Sequence, residues 1–318
     1  MTREADEIKG KYFRVLDHGF ISLVDYMGDD LAVLQAARVS YGAGTKGTKS
    51  DRGLLRYMLK HKHTSPFEQV ILKFHVKLPI FVARQLIRHR TASVNEYSMR
   101  YSLPVMQFYN PSQNDLGIQS KMNKQGRSEV LPSDLACAIQ ERWKEQQLSS
   151  IEFYEYLVNQ EIDLARELAR IGLPVSLYTE WYWTIDLHNL LHFLTLRSDS
   201  HAQWEIQQYS NLKAAIVKRV APISYEAWID YQFRAHTFSR MEMVVILKHL
   251  SGTMKGTLAE ECLSLGMSNR ETTEFLEVFN VGSLEFFQRP VDFELNPADG
   301  LDGEVLSEEA QKFIPRSL

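Results

Sequence analysis

The segment Arg84-Gln85-Leu-Ile-Arg88-His89-Arg90-Thr-Ala-Ser-Val-Asn95-Glu96-Tyr97-Ser98-Met99-Arg100-Tyr101 concentrates side chains that can do chemistry. It holds four arginines against one glutamate, a local charge of +3 in a chain of net charge −4. Guanidinium forks match phosphate oxygens in bidentate geometry. Arg84 and Arg88 are four residues apart, so on a helix they share a face. Ser98 and Arg100 project to one side if their stretch is extended. The chemistry these residues suit is phosphate binding, with room for two phosphate groups. The bland alternative is a solvated basic face at a helix C-terminus. Asn95, Glu96, Ser98, Arg100 and Tyr101 weigh against it, because so many hydrogen-bonding side chains in one short loop point to a ligand.

Three other constellations invite chemistry. His188 and His192 stand four apart and could share a metal on a helix face, yet no His-Glu-x-x-His is present and no third ligand is evident. Cys137 and Cys262 are the only cysteines, and neither lies in a Cys-x-x-Cys, so neither a disulfide framework nor a zinc knuckle is expected. Trp181, Tyr182 and Trp183 could stack on a base, but at strand spacing they read as core.

These side chains need elements to position them. At 318 residues, with 44% hydrophobic and 24% charged residues, the chain is an ordinary globular sequence of about two domains, or one large decorated one. The charge balance excludes a protein that coats polyanions, so no nucleic-acid partner is expected. No apolar run reaches 18 residues and the N-terminus lacks an apolar leader. The expectation is a cytoplasmic protein without membrane association.

Residues 13–26 read as two strands around Asp17-His18-Gly19, and a helix runs from about Asp29 to Val39. Gly42, Gly44 and Gly47 mark a loop, and Ser50 can cap the next helix. Val70, Leu72, Phe74, Val76 and Leu78 alternate with polar residues, so Glu68–Leu78 is expected as a strand. Pro79–Arg90 then reads as a helix, 107–132 as an exposed excursion, and 133–171 as a long helical pattern. Tyr178–Ile185 is strand-like. Asp186 caps a helix to about Arg197, and Ser200 or His201 opens another to Val220. Strands and helices mix without βαβ repetition, which predicts an α+β fold. Residues 241–281 look helical, with Ser268-Asn-Arg-Glu271 as a capping box, and 282–318 read as an irregular tail.

Three blocks together resemble one family. Arg88-His89-Arg90 followed after seven residues by Ser98 is similar to the signature of flavin-dependent thymidylate synthases, the ThyX family. His63-Thr-Ser65-Pro66-Phe67-Glu68 and Leu196-Arg197-Ser-Asp-Ser-His201-Ala-Gln203-Trp-Glu205-Ile206 resemble the family's other two blocks. The resemblance spans roughly residues 13–235 and implies an α+β fold with an antiparallel sheet and long helices. It implies a catalytic domain over 1–240, with 241–318 as a helical extension and tail.

The resemblance implies reductive methylation of dUMP to dTMP. 5,10-Methylenetetrahydrofolate supplies the carbon, and FAD, reduced by NADPH, supplies the hydride. Arg197 becomes the catalytic candidate, although a helix-end arginine could equally pair with Asp199 or Glu205. Gln85, Arg88, Glu96, Ser98, Met99, Arg100, Arg170 and Arg197 would hold dUMP. Ser65, Arg88, His89, Arg90, Glu96, Asp186, His188 and His192 would meet FAD, with Ser40 a further approach. Some family members carry Asn, Arg and Asn where Asp186, His188 and His192 stand. Neither cysteine falls in a matching block, which is consistent with a mechanism that uses no cysteine nucleophile. A homotetramer with shared active sites is implied. The rival is a non-catalytic nucleotide sensor with the C-terminal unit as effector. That unit has a helix–Gly–helix rhythm, but residues 257–280 hold five glutamates and one arginine, which opposes DNA and favours a helical cap.

Overall fold

A computed structural model describes residues 4–39, 51–121, 124–238 and 258–278. The expectations for Ser40, the 42–47 loop, the Ser50 cap, residues 241–257 and the tail lie outside these residues.

After the short helix α1 (Glu4–Ile8), β1 (Tyr12–Val15) and β2 (Gly19–Met27) form a hairpin. A Cβ on Gly19 would collide with the Tyr209 hydroxyl and lie 2.6 Å from the Val15 carbonyl oxygen and 2.8 Å from that of Lys77. Gly19→Ala should therefore overpack this corner, costing about 1–3 kcal/mol. A melting temperature lower by a few degrees would show it, and an unchanged one would contradict it.

Strand β3 (Ile71–Pro79) lies at the centre of a five-stranded antiparallel sheet that also holds β4 (Ala92–Glu96) and β7 (Tyr178–Asp186), in the order β1-β2-β3-β7-β4. The alternating residues Val70, Leu72, Phe74, Val76 and Leu78 are each fully buried. The strand starts later than the alternation predicts. Ser65–Gln69 is a 3₁₀ turn with Pro66 in its first positions, where the missing N–H costs nothing. Trp181 and Trp183 are core residues, while Tyr182 stacks on His75 on the sheet's other face at 4.9 Å.

The helices α2 (Asp30–Val39), α3 (Asp51–Lys60), α7 (Leu187–Arg197), α8 (Trp204–Val220) and α9 (Pro222–Trp228) contribute to one apolar core with the sheet. Asp186 caps α7 as expected, accepting from the Asn189 N–H at 2.9 Å. Asx turns move other helix ends away from their predicted positions. Asp199 accepts from the His201 N–H at 2.8 Å, so α8 begins at Trp204, not at Ser200 or His201. Asn159 accepts from the N–H groups of Glu161 and Ile162, both at 3.0 Å. The long pattern therefore breaks into α5 (Ser133–Val158), α6 (Arg166–Ala169) and a 3₁₀ turn Arg170–Gly172. The 107–132 excursion carries a small hairpin, β5 (Gly117–Gln119) with β6 (Arg127–Val130).

Two helices of the extension are described, α10 (Leu258–Ser264) and α11 (Asn269–Val278). The capping box forms reciprocally: Ser268 N–H donates to Glu271 Oε2 at 2.7 Å, and Glu271 N–H to Ser268 Oγ at 3.3 Å. The other oxygen of Glu271 accepts from Arg56 Nε on α3 at 2.8 Å. Arg56 is 5% exposed and also donates to Glu226 and Asp230, both at 2.7 Å. One buried arginine thus ties the extension to the core.

Candidate active site

The basic segment begins on α4 (Ile80–Leu86), which Pro79 introduces. The helix is shorter than the Pro79–Arg90 expected. Arg88 N–H bonds back to the Gln85 carbonyl at 3.3 Å and His89 N–H to that of Leu86 at 3.1 Å, so the chain tightens out of the helix. Arg84 and Arg88 are consequently not successive positions on one helix face. The tightening turns His89 toward α7, where its Nε2 accepts from Arg197 Nε at 3.1 Å. The edge of this contact is packed by Phe193, whose ring lies 4.8 Å from that of His89, and by His192 at 6.2 Å. Arg197 therefore pairs with neither Asp199 nor Glu205. Asp199 holds His201, and Glu205 accepts from Arg127 at 3.1 Å and Tyr109 at 3.2 Å.

This bond specifies a protonation state. His89 Nε2 must carry a lone pair, so the proton of the neutral ring sits on Nδ1. Burial, then the charges of Arg197, His192 and Lys213, push the His89 pKa down to about 4. Burial and the neighbouring Arg88 also lower the Arg197 pKa, from a value so high that the guanidinium remains a cation. A histidine with a native pKa below its unfolded value of about 6.5 binds fewer protons when folded, so its contribution is whole above 6.5 and diminishes as pH falls toward 4. By NMR of labelled histidines His89 should accordingly titrate near pH 4, a signal that His89→Asn removes. A midpoint near 6.5 would contradict the buried neutral ring.

On the other side of the turn, Gln85 Nε2 donates to Gln203 Oε1, and Gln203 Nε2 donates to Glu205 Oε2 at 2.8 Å. Strand β4 presents Glu96, whose Oε1 accepts from the Thr179 hydroxyl at 2.8 Å. Beyond it the chain does not stay extended as expected. Tyr101 and Ser102 N–H groups bond to the Ser98 carbonyl at 3.1 and 3.2 Å, closing a turn that contains Met99 and Arg100. Arg100 pairs with Glu167 at 3.1 Å and Arg166 donates to the Tyr101 carbonyl at 2.9 Å, so the turn is tied to the helix preceding Arg170. Ser98 Oγ accepts from the Arg100 N–H at 3.3 Å, with no base beside it.

Ser65 is exposed at the start of its 3₁₀ turn, and this turn meets the start of α7, where Leu187 N–H donates to the Val70 carbonyl at 2.8 Å. That helix carries His188, half-buried, and His192, exposed. The Asp186 carboxylate is engaged by Asn189 through both oxygens, the second at 2.6 Å from Asn189 Nδ2. Among the described residues no cluster of three metal-binding side chains is present.

The guanidiniums of Arg84, Arg88, Arg90 and Arg170 have no hydrogen-bond or ion-pair partner among the described residues, although acids outnumber bases 40 to 36 in the chain. Among the described residues Arg197 uses only Nε and leaves its Nη groups unpaired. Free cations of this kind fit a ligand that carries phosphates. Sequence reading held Gln203 and Glu205 in the third motif block without a role of their own, and it missed Lys213. For Lys213 a signal existed: it lies in the buried stripe of α8 with Ile206, Tyr209, Ile216, Val217 and Val220.

An α+β scaffold that leaves several arginines unpaired among the described residues, with Arg88 beside a histidine-held Arg197, suits an anionic ligand. Residues 22–223 match the family model described as "Thymidylate synthase complementing protein". The chain is 49% identical over 272 residues to the flavin-dependent thymidylate synthase of Gluconobacter oxydans, covering 85% of this chain and 88% of that protein. It is 48% identical over 284 residues to that of Rickettsia bellii, covering 86% and 95%. The crystal structure of PolB, a UMP/dUMP methylase from Streptomyces cacaoi bound with 5-Br UMP, superposes with a TM-score of 0.62 at 34% identity, covering 70% of this chain and 98% of that one. The chain belongs to the family of flavin-dependent thymidylate synthases. A match over 86% of 318 residues reaches past residue 240, so relatives share at least part of the extension. These relatives are named as enzymes, which does not favour the sensor alternative.

Proposed function

We propose that this site methylates dUMP reductively to dTMP, with 5,10-methylenetetrahydrofolate as carbon donor, FAD as redox cofactor and NADPH as its reductant. Family membership supports the reaction class, and the solved relatives bound to 5-Br UMP and 5-Br dUMP support the pyrimidine nucleotide. The single observation that carries the reading is Arg197, held through Nε by a neutral His89, with its remaining donors free.

Making uracil C5 nucleophilic builds negative charge on the ring, and a preorganised guanidinium stabilises that charge without moving a proton. Arg197 has this role. Arg88, Ser98, Arg100 and Arg170 take the phosphate and sugar side of dUMP. Gln85, Glu96 and the Met99 backbone orient the nucleotide. Ser65, Arg88, His89, Arg90, Glu96, Asp186, His188 and His192 hold the flavin, with His89 serving chiefly through Arg197. FAD, when bound and reduced, supplies the hydride. Residues 1–240 form the catalytic unit and 241–318 a helical cap and tail. The active form is a homotetramer whose chains share sites.

The test is tritium release from [5-³H]dUMP with FAD, NADPH and methylenetetrahydrofolate present, and then with each omitted. Release that depends on each supports the synthase. No release from folded, flavin-loaded protein overturns it and restores the non-catalytic sensor.

A further inference from the structure

Lys213 is fully buried on α8, and its Nζ has no hydrogen-bond partner among the described residues. Its neighbours are aromatic: Nζ lies 5.2 Å from the ring centroid of Trp183, 5.5 Å from Phe193, 5.7 Å from Tyr209 and 5.8 Å from Phe74. Nothing in the packing calls for an amine. A methionine would fill the same space without the cost of a buried, unpaired polar group. The rings offset part of that cost, because each lies close enough to attract a cation. Among the described residues no carboxylate is set against the ammonium, and burial alone lowers its pKa, to about 7. On the acid side of neutrality the group is therefore charged.

Phe193 joins this box to the active site, since the same ring packs against His89. His89 faces Arg197 and His192 from α7 and Lys213 from α8, and Arg88 lies beside Arg197. We propose that Lys213 is a positioning residue of the reaction: from behind Phe193 its buried cation adds to the burial and to the Arg197 and His192 charges that keep the His89 imidazole neutral, and the neutral imidazole accepts from and holds Arg197. As pH falls, the first proton goes to Lys213, where it discourages a second on His89. This adds to burial and the Arg197 charge in letting the arginine–imidazole contact survive into acid. The inference rests on the reading of Arg197 given above.

Lys213→Met tests it. The titration of His89 is followed by NMR of ¹³C-histidine-labelled full-length protein, with His89→Asn assigning the signal, alongside thermal unfolding and the pH profile of tritium release. The variant should fold with a melting temperature at or above the parent's. The His89 midpoint should rise by about half a pH unit at most, because burial, Arg197 and His192 each depress it more. The acid limb of turnover should move with it, and Lys213→Arg should restore both. An unmoved His89 midpoint in folded Lys213→Met overturns the proposal. A midpoint that rises while turnover stays unchanged also overturns it. Lys213→Gln is the second neutral variant, and if neither folds the lysine is structural and the proposal fails. If the parent shows no turnover but the midpoint moves, the electrostatic link stands and the synthase reading is what fails.

Discussion

Arg197→Ala is expected to reduce turnover of dUMP by at least about 10²-fold, the usual loss when one preorganised donor to a developing charge is removed. Flavin absorbance of the purified protein should persist, because the residues assigned to the flavin lie mostly on the Ser65 turn, the Arg88–Arg90 turn and the first turns of α7. Arg197→Lys should recover little. A lysine has no Nε–H to offer His89 while keeping a fork free for substrate. Removing Arg197 also removes a cation that depresses His89, so the imidazole pKa should rise from about 4 toward its ordinary value. Activity near the parent's in Arg197→Ala would end the role assigned here, and an unmoved His89 would deny the contact.

The second large effect is structural. Arg56→Met leaves Glu271, 7% exposed, without its cation, beside Glu226 and Asp230. Breaking a buried pair from one side costs about 3–5 kcal/mol. The contributions of Glu226 and Asp230 count for less, since their side chains are 41% and 46% exposed. Hydrogen exchange should show protection lost across residues 258–278 before the rest of the chain. The double variant Arg56→Met/Glu271→Met should regain most of the loss, because it removes both charges instead of stranding one. If the single variant leaves exchange unchanged, the extension is held by something other than this arginine.

How much of this was legible beforehand differs by element. The β3 alternation, the Asp186 cap and the Ser268–Glu271 capping box were readable because each signal is complete within a few residues. The C-terminal ends of α4 and α5 and the start of α8 were not. Asn159 and Asp199 stop or delay helices by bonding to N–H groups two or three residues on, and the periodicity of the flanking apolar residues does not register that competition. The basic loop was recognisable from charge density, but its Ser98–Ser102 turn was hidden because polar residues suit turn and strand alike.

Sequence by itself determined the class of fold, the family and the residue types gathered at the site. Those follow from local periodicity, capping and three ordered motif blocks. Only the tertiary structure decided which of those residues touch. His89 meets Arg197 across 108 positions, Gln85 meets Gln203 across 118, and Arg56 meets Glu271 across 215. It also decided that Lys213 is enclosed by rings drawn from β3, β7, α7 and its own helix. The physical reason is that a side chain's charge state and partners depend on what surrounds it in space. That environment exists only once the sheet register and helix packing have brought distant segments together.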